Sequence, residues 1–325
     1  MPSHTFKKKL QGKRVLITGG AGFLGSHLAD RCLREGARVW VIDDLSTGKM
    51  ENLRDAIRSS HFKFIKGDAN NYESLKRVFQ KSRPHYAVHY AALVGVTRTQ
   101  KNPIKVLRDL DGISHFFYLA KKYGVKKAVF SSSSEAYGEP VVMPSREDGP
   151  LNPQTTYGVI KVVGEEFVKV YTKKGVPGVA LRFFNVYGPR QNATPYGFVV
   201  GIFIQQVLKG ERPTIFGNGH QTRDFIYVDD NVEAVFRAMT SPRTKGEIIN
   251  IVRGSPIRIL DLAKRIIALS GKKISPKHMP PRIEGEIKHR FADGSKMEKL
   301  VGITVSTPLD VGLKKTMEWY RRMHD

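Results

Sequence analysis

A turn built on three glycines constrains this chain more than any other feature. The run Lys13-Arg-Val-Leu-Ile-Thr-Gly19-Gly-Ala-Gly22-Phe-Leu-Gly25-Ser-His passes from a short apolar stretch into glycines spaced G-x-x-G-x-x-G. Phe23, Leu24, Leu28, Ala29 and Leu33 then recur at helical spacing. The pattern reads as strand, tight turn and helix. Gly19 supplies the turn's backbone angles, Gly22 lets the main chain approach a pyrophosphate, and Gly25 lets helix and strand pack closely. The free N–H groups at the helix start face the phosphates. A glycine-rich turn with no ligand is the plain alternative. The next strand, 37–42, runs into Asp43 and Asp44. An acidic residue there suits the adenosine ribose 2′-OH and repels a 2′-phosphate. The expectation is a dinucleotide site that takes NAD ahead of NADP.

After residues 45–48 the rhythm continues. Strands are predicted over 61–65, 86–90, 127–130 and 179–183, and helices over 72–80, 103–123 and 152–174, the last with Pro153 early. Strands alternating with helices at this pitch imply an α/β chain with a parallel, doubly wound sheet, whose ligands lie at the carboxyl ends of the strands. Beyond Asn185 the pattern loosens into shorter elements and glycine- and proline-rich turns. The expected organisation is a cofactor domain over 1–184 and a smaller C-terminal α/β substrate lobe over 185–325. Segments near 225–251 are expected to return to the first domain. The 325 residues suffice for both.

Composition excludes several classes. A single cysteine, Cys32, allows no disulfide framework or cysteine-based metal cluster within one chain, and no metal is expected. The opening residues lack the apolar core of a signal peptide, and no apolar run approaches a membrane span. A soluble, cytoplasmic protein is expected. The net charge of +24 raises the question of nucleic acid. The basic residues, however, are spread from end to end, and no zinc-finger, helix-turn-helix or RNA-recognition pattern stands out. No nucleic-acid partner is expected. A generally basic surface would attract anionic small molecules.

Two segments carry candidate chemistry. In Tyr157-Gly-Val-Ile-Lys161 the phenol and ammonium stand one helical turn apart. A cation beside a tyrosine stabilises the phenolate and lowers its pKa toward the working range. A packed tyrosine with a solvated lysine is the alternative. One element earlier, Ser133 closes a strand in Phe130-Ser-Ser-Ser133-Ser-Glu135-Ala-Tyr137-Gly, where its hydroxyl suits a reacting hydroxyl or carbonyl. The alternative is a serine-rich turn bonded to its own backbone.

Taken with Asp43-Asp-Leu-Ser-Thr-Gly48, Arg182-Phe-Phe-Asn185 and Gly219-His-Gln-Thr-Arg223-Asp, these motifs resemble the extended short-chain dehydrogenase/reductase family over nearly the whole chain. Within it the chain is similar to the nucleotide-sugar epimerases and dehydratases. The resemblance implies a Rossmann-like domain that binds NAD, and a catalytic triad of Ser133, Tyr157 and Lys161. It implies that Gly19, Gly22, Phe23, Leu24, Gly25, Asp43, Asp44, Ser46, Thr47, Gly48, Asp68, Ala69, Ala91, Ala92 and Phe184 surround the cofactor, together with Tyr157 and Lys161. Asn185, Arg223 and Arg282 are implied to hold the substrate diphosphate, with Arg190 a further candidate; planar guanidinium groups suit phosphate oxygens. The sequence departs from the family pattern at Asp109, where asparagine is usual, and at Ile160, where a small residue is frequent.

The implied reaction is 4-epimerisation of a nucleotide sugar, of the UDP-glucose/UDP-galactose type, through a 4-keto intermediate. Glu135 keeps a second reading open, because Ser133-Ser-Glu135 resembles the dehydratases and the uronic acid decarboxylases; in a 4,6-dehydratase a glutamate here removes the C5 proton beside the new ketone, and water leaves C6. A non-catalytic, NAD-binding regulatory protein is a third reading. A homodimer pairing helices 103–123 and 152–174 with their copies is implied by the resemblance alone.

Overall fold

The structure, a computed structural model, describes residues 8–192, 198–281 and 288–323. Six strands form its framework: β1 (Arg14–Thr18), β2 (Arg38–Asp43), β3 (Phe62–Lys66), β4 (Tyr86–His89), β5 (Lys127–Ser133) and β6 (Gly178–Phe183). They pair in parallel in the order β3-β2-β1-β4-β5-β6, and the strand Glu247–Ile251 adds to β6 as a seventh. Their side chains alternate between two apolar layers. Val15, Ile17, Val41, Val88 and Val129 face one layer, whereas Leu16, Ile42, Ala87, Ala128 and Phe130 face the other. That period of two, with both faces covered by helices, produces the near-continuous apolar runs seen in the sequence.

Two expected helices have different bounds. The segment 103–123 divides at Arg108 into Pro103–Leu107 and Asp109–Lys122. Arg108 adopts ψ −20°, and its carbonyl accepts Asp111 N–H at 3.1 Å, an i→i+3 closure that tightens the turn. The segment 152–174 becomes helical only over Thr156–Lys173. Thr155 is extended and its hydroxyl accepts Gly158 N–H at 3.0 Å, so it caps the helix two residues beyond Pro153.

The strand Glu247–Ile251 returns to the large sheet, but Phe225 and its neighbours do not. They belong to the strand Thr222–Tyr227 of a separate four-stranded sheet, which also holds Asn185–Tyr187, Pro256–Arg258 and His289–Arg290. A step of one residue at Phe184 carries the chain from β6 into this second sheet, where Asn185–Tyr187 runs parallel to Phe225–Tyr227. The helix Val228–Thr240 then packs on the helix Phe23–Arg34, with Arg31 over the Phe236 ring at 4.1 Å. The second sheet is thereby held beside the carboxyl edge of the first. Among the described residues no helix is long and apolar enough to cross a membrane, and no cluster of three His, Cys, Asp or Glu residues is arranged for a metal.

Candidate active site

The glycine turn lies at the carboxyl end of β1. Gly19 has φ +66°, and a Cβ there would stand 2.8 Å from Ala91 N. A Cβ on Gly25 would stand 2.4 Å from Gly19 O. Both positions exclude any side chain without backbone movement. Gly22 starts the helix Phe23–Arg34 with no side-chain cap, which leaves the first-turn N–H groups without that partner. Phe23 and Leu24 are half-buried in that turn.

Asp43 is 8% exposed and turned into the turn. Its Oδ2 accepts Ala21 N–H at 2.9 Å and its Oδ1 accepts Leu45 N–H at 2.8 Å. Burial raises its pKa, and these backbone amides oppose the rise. The remaining lone pairs are what a ribose hydroxyl would meet. Gly48 is required here, since a Cβ would stand 2.8 Å from Asp43 Oδ1. Asp44 and Ser46 are exposed, with Asp44 Oδ1 accepting Ser46 N–H at 2.9 Å; Thr47 is half-buried. After β3, Asp68 is exposed and accepts Asn70 N–H at 2.8 Å, while Ala69 is buried. Ala91 and Ala92 follow β4 half-buried, and Ala91 N–H donates to Thr18 Oγ1 at 3.2 Å. Phe184 is buried against Tyr137.

Ser133 ends β5, and Tyr157 and Lys161 stand one turn apart on the helix Thr156–Lys173. The Ser133 hydroxyl is hydrogen-bonded to the Tyr157 phenol. Lys161 Nζ donates to Ser131 O at 2.8 Å and lies 5.1 Å from the Tyr157 ring centroid. The expected lowering of the tyrosine pKa is not what this arrangement produces. Desolvation pushes the phenol well above the usual tyrosine range; the Glu135 and Asp109 carboxylates add to the rise, and the Ser133 hydrogen bond opposes it. Burial also lowers Lys161 to about 8, against the pull of Asp109. The ammonium is spent on a backbone carbonyl under the ring, so burial outweighs it.

Both departures from the family pattern have a structural account. Asp109 is buried and accepts Leu93 N–H at 2.8 Å and Asn70 Nδ2–H at 3.1 Å. Ile160 is buried among apolar residues on one face of the sheet.

The arginines separate. Arg190 ion-pairs with Asp30 of the first helix at 2.8 Å, so the candidate anion ligand is occupied by an internal carboxylate. Arg223 is half-buried and donates to Thr222 O at 2.8 Å. Asn185 Nδ2 donates to Asp224 O at 3.0 Å, stitching the second sheet. Arg282 lies outside the described residues. The glutamate singled out in the sequence is also engaged. Glu135 N–H donates to Ser133 Oγ at 3.2 Å, and its carboxylate ion-pairs with Arg290. Arg290 carries no motif in its neighbourhood, and only the fold brings it here.

Behind the triad lies a second group that the sequence left unread. Arg182 of β6 meets Glu165 in a bidentate pair, 2.7 Å on each arm, with both side chains 1% exposed. Ser132 Oγ donates to the same carboxylate at 2.6 Å. Glu165 lies one turn beyond Lys161, which the spacing 157, 161, 165 marks on one helix face.

A glycine turn at the carboxyl edge of a parallel sheet, with serine, tyrosine and lysine at the same edge, defines an enzyme of the short-chain dehydrogenase/reductase type. Comparison with known proteins narrows the class. The chain belongs to the NAD dependent epimerase/dehydratase family, whose model matches residues 15–252. It is 36% identical over 317 residues to a putative UDP-glucose 4-epimerase of Methanocaldococcus jannaschii, covering 94% of this chain and 98% of the relative. It is 33% identical over 327 residues to a UDP-N-acetyl-alpha-D-glucosaminuronate decarboxylase of Bacillus cytotoxicus, covering 96% and 99%. The crystal structure of UDP-glucose 4-epimerase with UDP-glucose from Thermotoga maritima superposes with a TM-score of 0.90 at 35% identity, covering 96% and 99% of the two chains.

Proposed function

We propose that this enzyme is an NAD-dependent 4-epimerase of UDP-sugars, of the UDP-glucose/UDP-galactose type. The observation that carries the reading is the hydrogen-bonded Ser133–Tyr157 pair above Lys161, at the sheet edge that also bears the glycine turn. The turn fits a dinucleotide, because Gly19 and Gly25 let its backbone close tightly on itself and the helix that follows Gly22 starts with no side-chain cap. Gly19, Gly22, Gly25 and the Phe23–Leu24 turn would hold the pyrophosphate, Asp43 the adenosine ribose, and Ala91, Ala92, Tyr157 and Lys161 the nicotinamide half. Bound NAD supplies the acceptor for the hydride leaving sugar C4. Tyr157 takes the C4 hydroxyl proton, Ser133 orients that oxygen, and a 4-keto sugar results. The ketone turns in the pocket, and Tyr157 returns the proton once the opposite face is reduced. Arg223 and Asn185 stand in the lobe that would carry the diphosphate.

The Glu135 carboxylate is engaged by Arg290 rather than free to meet a C5 proton, which supports epimerisation over dehydration. The test is a panel of UDP-, GDP- and dTDP-sugars, with products read by NMR. A 4-epimer is expected; a 4-keto-6-deoxy sugar or a decarboxylated pentose would overturn the reading.

A homodimer forms part of the proposal. Ile104 (69% exposed), Leu107 and Tyr118 on one pair of helices, with Val159 and Val170 on the helix Thr156–Lys173, leave apolar side chains in water. Light scattering is expected to report two copies, and a monomer would reject this. A reducing, cytoplasmic setting suits the one thiol, which burial pushes up to about 12 at Cys32.

A further inference from the structure

Glu135 is the stronger of the two carboxylates that work against the Tyr157 phenol. It lies in the short turn Ser134–Ala136, bonded through its own N–H to Ser133 Oγ, and the helix bearing Tyr157 is pressed on that turn. Gly158, the residue after Tyr157, has no room for a Cβ, which would stand 2.6 Å from Glu135 O. The groups facing the phenol are Ser133 of β5, Glu135 of the turn, Asp109 of the helix Asp109–Lys122, and Lys161 on its own helix. His89 of β4 faces Lys161 from below and is neutral, its pKa lowered to about 3 by burial.

The counter-charge comes from the other lobe. Arg290, 7% exposed, reaches Glu135 from the strand His289–Arg290, where its register partner is Arg223 on Thr222–Tyr227. Its partner carboxylate lies 155 residues away in sequence.

We propose that Arg290 is a positioning residue of the active site: by ion-pairing Glu135 it offsets part of that carboxylate's charge beside Tyr157, so the seating of the second sheet sets the field the catalytic base experiences. The inference rests on Tyr157 being the base. An unpaired carboxylate near a phenol favours the protonated phenol and displaces the reactive phenolate to higher pH. A merely structural arginine would change stability or KM and leave the pH profile in place.

The experiment compares pH profiles of kcat/KM for UDP-glucose epimerisation in the NAD-loaded full chain. It also titrates tyrosinate absorbance as the difference from Tyr157→Phe. The phenolate is the base, so activity rises with pH through the tyrosine pKa. In Arg290→Met the rising limb is expected to move up by about one pH unit, a loss of about tenfold at neutral pH. Arg290→Lys keeps the charge and is expected to move it less. Glu135→Gln moves the limb to lower pH or leaves it at the wild-type position, and the double variant follows Glu135→Gln. The absorbance midpoint moves in the same order. An unshifted profile in Arg290→Met, or a double variant that keeps the Arg290→Met shift, overturns the proposal. Should Arg290→Met not fold, the comparison of Arg290→Met/Glu135→Gln with Glu135→Gln still decides. If Tyr157→Phe retains full activity, the base assignment itself is wrong; if it is inactive while the Arg290 profile is flat, only the role of Arg290 fails.

Discussion

Tyr157→Phe is expected to lower epimerase turnover by about 10²–10⁴-fold, with NAD affinity and folding nearly unchanged. The substitution removes one oxygen. It leaves the ring between Lys161 and the 134–136 turn, and it leaves the glycine cradle untouched. What disappears is the atom proposed to accept the C4 hydroxyl proton. Ser133 does not substitute for it, because its Oγ already accepts from Glu135 N–H and an alcohol is a far weaker base than a phenolate. Turnover is measured by product NMR under saturating sugar nucleotide, and cofactor binding by calorimetric titration. The pH profile adds a second constraint. Lys161, lowered to about 8, loses its charge under the ring before the phenol, held above the usual tyrosine range, ionises, so the wild-type profile carries a lysine step on the acid side of the tyrosine limb. A Tyr157→Phe variant within about tenfold of wild type, or one whose residual rate keeps the same rising limb, would remove Tyr157 from the chemistry.

The sequence made the first half of the site readable because local rules govern it. Gly19 and Gly25 are dictated by turn angles and close approach, and the alternating apolar runs follow from strand geometry. Tyr157 and Lys161 share a helix face by spacing alone. The placement of Arg290 was not readable for a physical reason. Glu135 and Arg290 meet only after Asn185–Tyr187 has left β6, Thr222–Tyr227 has paired with it, and His289–Arg290 has added to that strand. Arg190 shows the converse. Its phosphate-binding potential was legible, whereas Asp30, on the face of a helix 160 residues earlier, was not identifiable as its partner. The same holds for the depression expected of the tyrosine pKa. Spacing placed the ammonium, but only packing reveals that burial and two carboxylates outweigh it.

The largest stability effect is expected behind the triad, at Glu165. Its carboxylate holds Arg182 in a two-armed ion pair, and both side chains are withdrawn from water. Glu165→Ala would leave a guanidinium buried against the Tyr137 ring, 4.6 Å from its centroid, and would deprive the Ser132 hydroxyl of its acceptor. Removing one partner of a buried pair typically costs about 3–5 kcal/mol, so the urea midpoint should fall sharply. Turnover should fall as well, because Glu165 ties the helix of Tyr157 and Lys161 to β6, while Ser132 adjoins Ser133 on β5. Replacing both members with methionine should cost less than either single change, since no charge is then stranded and the volume is kept. That sign of non-additivity separates a buried ion pair from simple packing loss, in which two cavities would cost more than one. An Glu165→Ala variant within about 1 kcal/mol of wild type, or a double variant less stable than both singles, would mean that the helix is held to the sheet by its apolar contacts alone.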